Sequence, residues 1–257
     1  MTTAAKKAFG QHFLADPNIL GVIGRLAELA SYDIVLEIGP GHGVLTAYLA
    51  DRVAHVTAVE VDRDLESHLS ETVGARDNVR LVFGDALRLD LAAFEPAPKK
   101  LVANLPYNIA TPLIAESLTG LPALELWCVM LQREVADRFF ASPGTKAYGS
   151  VSVLIQLAAE RTGFHAVART VFRPPPNVDS ALLAFRRRAL PAGFPKIKRV
   201  VEGAFSHRRK TLANALQLAG VAEREHAVAA LAAIGRRADS RAEALEPAEF
   251  VDLAAAL

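Results

Sequence analysis

Short apolar runs rich in β-branched residues alternate with longer amphipathic stretches between residues 33 and 140. This alternation is typical of a parallel sheet built from strand–helix–strand units, because helices cover both faces of its strands. The predicted strands are Ile34–Ile38, His55–Glu60, Val79–Phe83, Lys100–Ala103 and Leu126–Leu131. The predicted helices are Val44–Arg52, Arg63–Val73, Thr111–Thr119 and Gln132–Phe140. We therefore predict a doubly wound α/β fold.

The pattern changes after residue 165. Ala166–Val171 and Ser180–Arg187 alternate like strands on either side of a proline-rich loop. After a Pro/Gly break at 190–195, the chain is rich in alanine and follows a helical period to its last residue. We predict two domains, residues 1–189 with the sheet and residues 190–257 as a small helical domain.

The composition is that of an ordinary globular protein. Of 257 residues, 51% are hydrophobic, which is enough for a sizeable core. The single cysteine, Cys128, cannot form an internal disulfide, so a secreted disulfide scaffold is excluded and a reducing, cytoplasmic setting is expected. One cysteine and 7 scattered histidines give no zinc-finger spacing, and we expect no metal. No apolar run is long enough for a membrane span, and the first residues lack the apolar core of a signal peptide.

The formal net charge of +1 conceals a division along the chain. Residues 1–180 contain 16 Lys and Arg against 20 Asp and Glu, whereas residues 181–257 contain 13 against 8. An excess of positive charge in one segment is one sign of a nucleic-acid partner. An asymmetry of this size also occurs on ordinary solvated surfaces, so charge alone does not decide between the two interpretations.

A glycine-rich turn follows the first predicted strand. It reads Glu-Ile-Gly-Pro-Gly-His-Gly over residues 37–43, and glycines at such a turn let the backbone approach a ligand closely. Glu60 ends the next strand, 21 residues after Gly39, where a carboxylate can accept both hydroxyls of a ribose. We therefore predict a nucleoside-containing ligand at the carboxyl ends of the strands. A tight turn without a ligand is the alternative.

The spacing of the glycines bears on which nucleoside binds. A dinucleotide-binding loop of the form G-x-G-x-x-G requires its third glycine at position 44, which is Val44 in this chain. An acid followed by G-x-G-x-G instead suits S-adenosyl-L-methionine, which has no pyrophosphate to bind. Asp85 follows the third strand, where it can accept the exocyclic amine of an adenine. A helix cap or Asx turn is the commoner role for such an aspartate.

Asn104-Leu105-Pro106-Tyr107 ends the fourth strand and is the most specific motif in the chain. The amine of an adenine is a poor nucleophile, so its methylation requires acceptors for the amine hydrogens and accurate placement. The Asn104 side-chain carbonyl and the Leu105 main-chain carbonyl are suitable acceptors. Pro106 stiffens the turn, and Tyr107 offers a ring on which an unstacked base can lie. The alternative is an Asn-containing turn with a partly buried tyrosine.

The order of these motifs closely resembles that of the bacterial small-subunit (16S) rRNA adenine dimethyltransferases of the KsgA/RsmA type. The segments that carry the resemblance are KKAFGQHFLADP (6–17), LEIGPGHGVLT (36–46), VEVDRDL (59–65), GDAL (84–87), ANLPYNIATPLI (103–114), MLQREVADR (130–138), YGSVSVL (148–154), VFRPPPNVDSALL (171–183) and AFSHRRKTLANAL (204–216). The resemblance implies a Rossmann-like, S-adenosyl-L-methionine-binding catalytic domain over residues 1–189 and an RNA-binding domain over residues 190–257. It also implies dimethylation of N6 of two adjacent adenosines in the 3′-terminal hairpin loop of 16S rRNA, carried out by a monomer on the immature 30S subunit.

Carried over position by position, the resemblance assigns the site residues. Cofactor contacts would come from His12, Leu14, Gly39, Gly41, Glu60, Asp85 and Asn104. The catalytic residues would be Asn104, Leu105, Pro106 and Tyr107, with Phe172 on the other face of the base. A core position for Phe172 is the competing interpretation. The chain departs from the family pattern at His12, where asparagine is usual, and in the short stretch before Lys6.

Basic clusters are the predicted RNA contacts, because positive side chains neutralise phosphates without reading sequence. They are Arg187, Arg188, Arg208, Arg209 and Lys210, with further charge at Lys6, Lys7, Arg186, Lys196, Lys198 and Arg199. Two other functions remain open. An Erm-type methyltransferase modifies an adenosine of large-subunit (23S) rRNA, and residues 171–183 and 204–216 favour the KsgA type over it. A non-catalytic RNA-binding assembly factor is the second, and the intact residues 104–107 argue against it.

Overall fold

The computed structural model describes residues 12–257. The strands in this range are β1 (Phe13–Leu14), β2 (Ile34–Ile38), β3 (His55–Glu60), β4 (Val79–Phe83), β5 (Lys100–Asn104), β6 (Leu126–Gln132), β7 (Ala159–Val167), β8 (Phe172–Arg173) and β9 (Ser180–Arg187). The helices are α1 (Asn18–Leu26), α2 (Val44–Ala50), α3 (Glu66–Thr72), α4 (Ala110–Gly120), α5 (Arg133–Phe139), α6 (Ser150–Ala158), α7 (Phe194–Phe205), α8 (Leu212–Leu218), α9 (Arg224–Ala233) and α10 (Pro247–Ala256).

Seven strands form one sheet in the order β4–β3–β2–β5–β6–β9–β7. The first five are parallel, and β9 is antiparallel to β6. The chain runs outward from β2 through β3 to β4 and then returns to place β5 on the other side of β2, which is the predicted doubly wound arrangement. The five predicted strands of the parallel sheet are confirmed, three with identical bounds and two one residue longer.

The predicted helices between these strands are also present, with ends that differ by up to three residues. The largest difference is at the start of α3, where Arg63–Leu65 forms a 3-10 turn instead. The Asp62 carboxylate accepts the Asp64 N–H at 3.2 Å and so closes that turn. Aspartate commonly caps such a turn through its side chain.

The middle of the sheet is apolar because side chains on both of its faces are buried. In β6, every residue except Gln132 is buried. The Trp127 ring stacks on Phe185 of β9 with the ring centroids 5.1 Å apart, and its indole N–H donates to Ser117 Oγ at 2.8 Å. Thus even the polar atom of this large side chain is satisfied inside the core.

The strand predicted at Ala166–Val171 is wrong in position. β7 occupies Ala159–Val167, and Arg169–Val171 is a 3-10 turn. Because β7 lies at the edge of the sheet and most of its side chains are exposed, it lacks the alternation from which a strand is predicted. The strand predicted at Ser180–Arg187 is confirmed as β9.

The chain forms two compact units. The first contains the residues up to Ala136 together with Arg161–Arg187, and the second contains Asp137–Glu160 together with Arg188–Leu257. The chain passes between the units three times, and the boundary predicted between residues 189 and 190 lies close to the last of these crossings, after Arg187. A single boundary could not describe a unit built from two separate segments, and it left residues 137–160 with the sheet.

The second unit is helical and has its own aromatic core. The Tyr148 ring lies edge-on to Phe205, whose centroid is 5.8 Å from that of Phe250. The Tyr148 hydroxyl donates to the Leu245 carbonyl at 2.8 Å. The helix α6 contacts α7 and α10 within this unit, and its apolar sequence, SVSVLIQLA, accounts for its burial there. No helix in residues 12–257 is long and apolar enough to cross a bilayer.

Candidate cofactor and nucleobase site

A cavity of about 310 Å³ lies at the carboxyl ends of the parallel strands. Open α/β sheets bind ligands in the crevice where the strand order reverses, and here the reversal falls between β2 and β5. The volume is at the lower end of the range of about 300 to 1,000 Å³ that is common for small-molecule sites. The cavity is lined by these predicted site residues: His12, Leu14, Gly39, Gly41, Glu60, Asp85, Asn104, Leu105, Pro106 and Tyr107.

The glycine loop packs closely against two other segments that line the cavity. Gly39 and Gly41 have φ angles of +73° and +58°, which side chains other than glycine's rarely tolerate. A Cβ atom at Gly39 would lie 3.2 Å from the ring of Pro106, and one at Gly41 would lie 2.8 Å from the ring of Phe13. Glycine is therefore required at both positions by backbone torsion and by close packing.

Glu37 is a buried acid beneath this loop. Its side chain is 1% exposed, and it lines the cavity. The Oε2 atom of Glu37 and the Oγ1 atom of Thr46 are buried without a hydrogen-bond partner in residues 12–257. The pKa of the Glu37 carboxyl is raised to about 8, mainly by burial and in part by the negative charge of Glu60. Since buried polar atoms are normally paired, the free oxygen marks a position for a polar ligand group.

Glu60 ends β3 and is held by backbone donors. Its Oε1 accepts the N–H groups of Val61 and Asp62, each at 2.9 Å, and its Oε2 accepts the Gly41 N–H at 3.2 Å. Burial raises the pKa of Glu60, while these three N–H groups oppose the rise. A carboxylate has about four acceptor positions, so the unused one lies on Oε2, which is bonded once.

Asp85 follows β4 and has the turn-closing role that the sequence offered as the alternative, while its contact with an adenine amine stays a prediction. Its Oδ1 accepts the Leu87 N–H at 3.0 Å and closes a turn, as the capping interpretation requires. Its Oδ2 lies 3.4 Å from the Nε of an exposed Arg88. With a side chain that is 40% exposed at the cavity wall, Asp85 can close the turn and also accept from a ligand.

The two proposed acceptors for the amine lie next to each other at the end of β5. The Nδ2 atom of Asn104 donates to the His12 carbonyl at 2.9 Å, which leaves Oδ1 without a partner among the residues the structure describes. The Leu105 side chain is buried, and its N–H donates to the Met130 carbonyl at 3.2 Å. The positions of the Asn104 amide oxygen and the Leu105 carbonyl are thereby fixed by the sheet and by the N-terminal segment.

Tyr107 is partly buried and anchored through its hydroxyl. The hydroxyl oxygen lies 2.6 Å from Ser180 Oγ of β9. Burial raises the pKa of this phenol, an effect that Ser180 partly opposes, so the ring is neutral in the physiological range. The ring lies against the cavity, where its role as a platform for a base stays a prediction.

The structure corrects the role predicted for Phe172. The side chain is fully buried in the hydrophobic core with α1 residues such as Ile19 and Ile23, and it is not among the residues that line the cavity. Side chains alternate across a strand, and in β8 this alternation buries Phe172 and exposes Arg173. The competing interpretation, a core residue, is the one observed.

The N-terminal segment reaches the cavity because β1 pairs antiparallel with β8. Leu14 lines the cavity with a partly buried side chain. His12 lines it too, but its carbonyl already accepts from Asn104 and its Nδ1 lies 2.9 Å from the Pro174 carbonyl. A cofactor contact at either residue remains a prediction.

Arg187 is not an exposed RNA contact. Its guanidinium donates to the main-chain carbonyls of Leu118 (2.7 Å), Leu121 (2.8 Å) and Leu124, and lies 4.9 Å from the centre of the Trp127 ring. These are carbonyls at the end of α4 and just beyond it, which lack partners within the helix. The prediction is wrong because the sequence shows the charge of this residue but not the direction of its side chain.

The other predicted RNA contacts differ in exposure and pairing. Arg188 forms an ion pair with Glu160 at 3.4 Å. Arg208, Arg209 and Lys210 are exposed in the loop after α7, and Arg208 donates to the Lys146 carbonyl at 3.1 Å. Lys6 and Lys7 lie outside the described residues.

Sequence reasoning missed two residues that line the cavity, Phe13 and His42, and a third, Ser180, that contacts the lining residue Tyr107. The Phe13 ring packs on His42 with centroids 3.9 Å apart, and burial together with the nearby His68 lowers the pKa of His42. The His42 position inside the glycine loop was a usable signal. Ser180 was not detectable, because it contacts Tyr107 from 73 residues away in the sequence.

Comparison with known proteins gives matches along nearly the whole chain. The sequence matches the family of ribosomal RNA adenine dimethylases over residues 2–257. Ribosomal RNA small subunit methyltransferase A of Rubrobacter xylanophilus is 48% identical over 253 residues, which cover 98% of this chain and 95% of that protein. A dimethyladenosine transferase from Plasmodium falciparum has a similar structure, with a TM-score of 0.77 and 25% identity over 94% of this chain and 96% of the other. The 23S rRNA methyltransferase ErmE gives a TM-score of 0.69 and 30% identity over 95% and 99%.

Proposed function

The chain belongs to the ribosomal RNA adenine dimethylase family, and from this premise we propose that it dimethylates N6 of two adjacent adenosines in the 3′-terminal hairpin loop of 16S rRNA. It is an S-adenosyl-L-methionine-dependent rRNA methyltransferase with a Rossmann-like sheet. The choice of 16S rRNA follows the small-subunit relatives, which match 43% to 48% of positions over 98% of this chain.

The residues of the cavity fit S-adenosyl-L-methionine. When bound, this cofactor supplies an electrophilic methyl group. Glu60 would accept from the ribose hydroxyls and Asp85 from the adenine amine, while Gly39 and Gly41 allow the backbone to approach closely. The unpartnered Oε2 of Glu37 suits the positively charged end of the cofactor, because a cation favours the ionised form of a buried acid.

The observation that carries the proposal is the direction of the Asn104 carboxamide. Because its Nδ2 donates to the His12 carbonyl, its Oδ1 is the atom left to accept a hydrogen from the target amine. The Leu105 carbonyl accepts the second hydrogen. Two fixed acceptors favour a more tetrahedral nitrogen and direct its lone pair towards the methyl group. The nitrogen gains the methyl group and releases a proton to solvent, so a strongly basic side chain is not required.

Tyr107 holds the base in this arrangement. The contact between its hydroxyl and Ser180 restricts the ring, and a restricted ring loses little freedom when a base stacks on it. Phe172 has no part in this proposal, since it is buried in the core.

The RNA-binding role is proposed for the second unit. The exposed Arg208, Arg209 and Lys210 belong to it, and its two segments, residues 137–160 and 188–257, together carry 13 basic against 10 acidic residues. The first unit would then be catalytic. We further propose that the protein acts as a monomer on the immature 30S subunit in the cytoplasm, where local basic patches recognise a folded particle.

The test is methyl transfer to purified ribosomal subunits. Immature 30S subunits that lack the modification, and 50S subunits, are incubated with labelled cofactor, and the product nucleosides and positions are identified by mass mapping. We expect N6,N6-dimethyladenosine at two adjacent positions of 16S rRNA. Label in 23S rRNA would instead support the second candidate, an activity like that of ErmE, which is 30% identical to this chain. Absence of label in both would point to a non-catalytic assembly factor.

A further inference from the structure

We propose that His12 is a positioning residue, whose imidazole holds the N-terminal segment so that its carbonyl fixes the direction of the Asn104 carboxamide. The inference rests on the proposed function, in which Asn104 Oδ1 accepts from the target amine. Its basis is a continuous chain of hydrogen bonds from the Pro174 carbonyl to His12 Nδ1, and from the His12 carbonyl to Asn104 Nδ2, with distances of 2.9 Å each.

The hydrogen bond from His12 Nδ1 to the Pro174 carbonyl compensates for a break in the pairing of β1 with β8. β1 and β8 pair with Phe13 opposite Arg173, and the Ala15 N–H donates to the Val171 carbonyl at 2.8 Å. After Arg173 come three prolines, at positions 174–176, which have no N–H to donate. The backbone of that loop therefore cannot donate to residues ahead of β1. The His12 side chain supplies the next hydrogen bond, with Nδ1 as donor because a carbonyl only accepts.

The hydrogen bond from Asn104 Nδ2 to the His12 carbonyl selects one of the two orientations of the Asn104 carboxamide. A carboxamide can rotate by half a turn and exchange its oxygen and nitrogen. With Nδ2 on the His12 carbonyl, Asn104 presents Oδ1 on its other side. The reversed orientation would set Oδ1 against the His12 carbonyl, which places two acceptors together and loses the hydrogen bond. The bond to His12 thus selects the orientation that methyl transfer needs.

Both hydrogen bonds involve His12, so loss of the bond to Pro174 weakens the bond to Asn104. If the imidazole releases Pro174, His12 loses this anchor next to β1, and its carbonyl is held less firmly. Asn104 then divides its time between two orientations, of which one is unproductive. The consequence is a lower turnover number with little change in cofactor affinity. A direct cofactor contact by the imidazole would have the opposite signature.

A matched pair of variants at position 12 separates the effect of the hydrogen-bond donor from the effect of side-chain size. In histidine Nδ1 is bonded to Cγ, and in asparagine Nδ2 is bonded to Cγ, so His12→Asn keeps a donor at the same distance from the backbone. His12→Leu has nearly the shape of asparagine without a donor. Both keep the main-chain carbonyl. Thermal unfolding of each variant shows that it is folded.

The measurements are single-turnover methyl transfer to unmodified 30S subunits and calorimetric affinity for S-adenosyl-L-homocysteine. We expect His12→Leu to lower the turnover rate about fivefold to tenfold, the factor that corresponds to one ordinary hydrogen bond. His12→Asn should restore most of the loss. Both variants should bind S-adenosyl-L-homocysteine with unchanged affinity. The inference is overturned if His12→Leu transfers methyl groups as fast as the wild type, or if both variants lose the same fraction of the rate. It is also overturned if only the affinity for S-adenosyl-L-homocysteine falls.

A second readout does not depend on activity. In protein labelled with ¹⁵N at asparagine, the side-chain NH₂ signal of Asn104 is assigned by its absence from Asn104→Ala. We expect the hydrogen-bonded proton of this signal to shift upfield in His12→Leu and to stay in place in His12→Asn. An unchanged signal in His12→Leu contradicts the inference. Should the wild type methylate no rRNA, the proposed function fails, while this comparison still decides whether His12 orients Asn104.

Discussion

The buried Glu37 carboxyl makes the stability of the first unit depend on pH. Burial raises the pKa of this group in the folded protein to about 8, from an ordinary value of 4.5. Between these two pKa values the folded state holds a proton that the unfolded chain has released. The free energy of unfolding therefore falls as pH rises, by about 1.4 kcal/mol per pH unit. Stability from this group is complete below pH 4.5 and is lost as pH passes through about 8.

Glu37→Gln removes this dependence because a carboxamide of the same shape does not ionise. From about pH 5 to pH 8 the wild type should lose about 4 kcal/mol relative to the variant. Trp127 is the only tryptophan and is fully buried in the first unit, so its fluorescence during urea denaturation follows the unfolding of that unit. Denaturation curves at several pH values in this range give the free energy of unfolding of each protein.

The control is Glu71→Gln, which removes an exposed carboxylate from the same unit. It should lose stability with pH in parallel with the wild type. If the stability difference between Glu37→Gln and the wild type stays constant from pH 5 to pH 8, the Glu37 carboxyl is ionised in the folded protein throughout. Burial would then not raise the pKa of this carboxyl above the pH range tested.

Four further variants test the site and the RNA contacts. Asn104→Ala should lower methyl transfer about 100-fold to 1,000-fold, because it removes a fixed acceptor, while the cofactor still binds. Single-turnover kinetics measures this, and unchanged turnover would refute the assigned role. Glu60→Ala should weaken the affinity for S-adenosyl-L-methionine about 10-fold to 100-fold, the effect of losing charge-assisted hydrogen bonds; an unaltered dissociation constant by calorimetry would contradict the ribose contact. Arg187→Met should reduce the free energy of unfolding by about 2 kcal/mol, since the carbonyls at the end of α4 lose their donors, and should leave the salt dependence of RNA binding unchanged. Arg209→Ala should instead reduce the slope of log K for RNA binding against log salt concentration by about 1. If Arg187→Met reduced this slope and Arg209→Ala did not, Arg187 would be an RNA contact.

The parallel sheet and the cavity were predictable because they depend on features that are local in sequence. The strands of the parallel sheet are mostly apolar, and the inner ones are largely buried because both of their faces are covered. The ligand position follows from the topology, because the carboxyl ends of parallel strands meet at one edge. Glu60, Asp85 and Asn104 each stand at such an end, so all three line one cavity.

The parts that were not predictable depend on side-chain direction and on distant contacts. Phe172 belongs to a segment that matches the family pattern and Arg187 to a run of three arginines. The Phe172 side chain nevertheless turns into the core, and that of Arg187 turns onto carbonyls at and beyond the end of α4. Residues 137–160 belong to the second unit although the sheet surrounds them in sequence. The apolar face of α6 requires burial, but the sequence does not show which core receives it.

The chemistry of the cavity explains why RNA-binding charge has to be supplied by other residues. Glu60, Asp85 and the oxygens of Asn104 and Leu105 present hydrogen-bond acceptors to the cavity. Such acceptors interact favourably with a cationic cofactor and accept hydrogen bonds from an amine. Their negative charge and partial charge repel phosphate groups. A base can therefore enter only if its own phosphates are held by cations outside the cavity. The charge division along the sequence, with 16 basic against 20 acidic residues up to position 180 and 13 against 8 after it, fits this separation of tasks. It follows that neutralising Arg209 should weaken RNA binding with little effect on the methyl-transfer step once the substrate is bound.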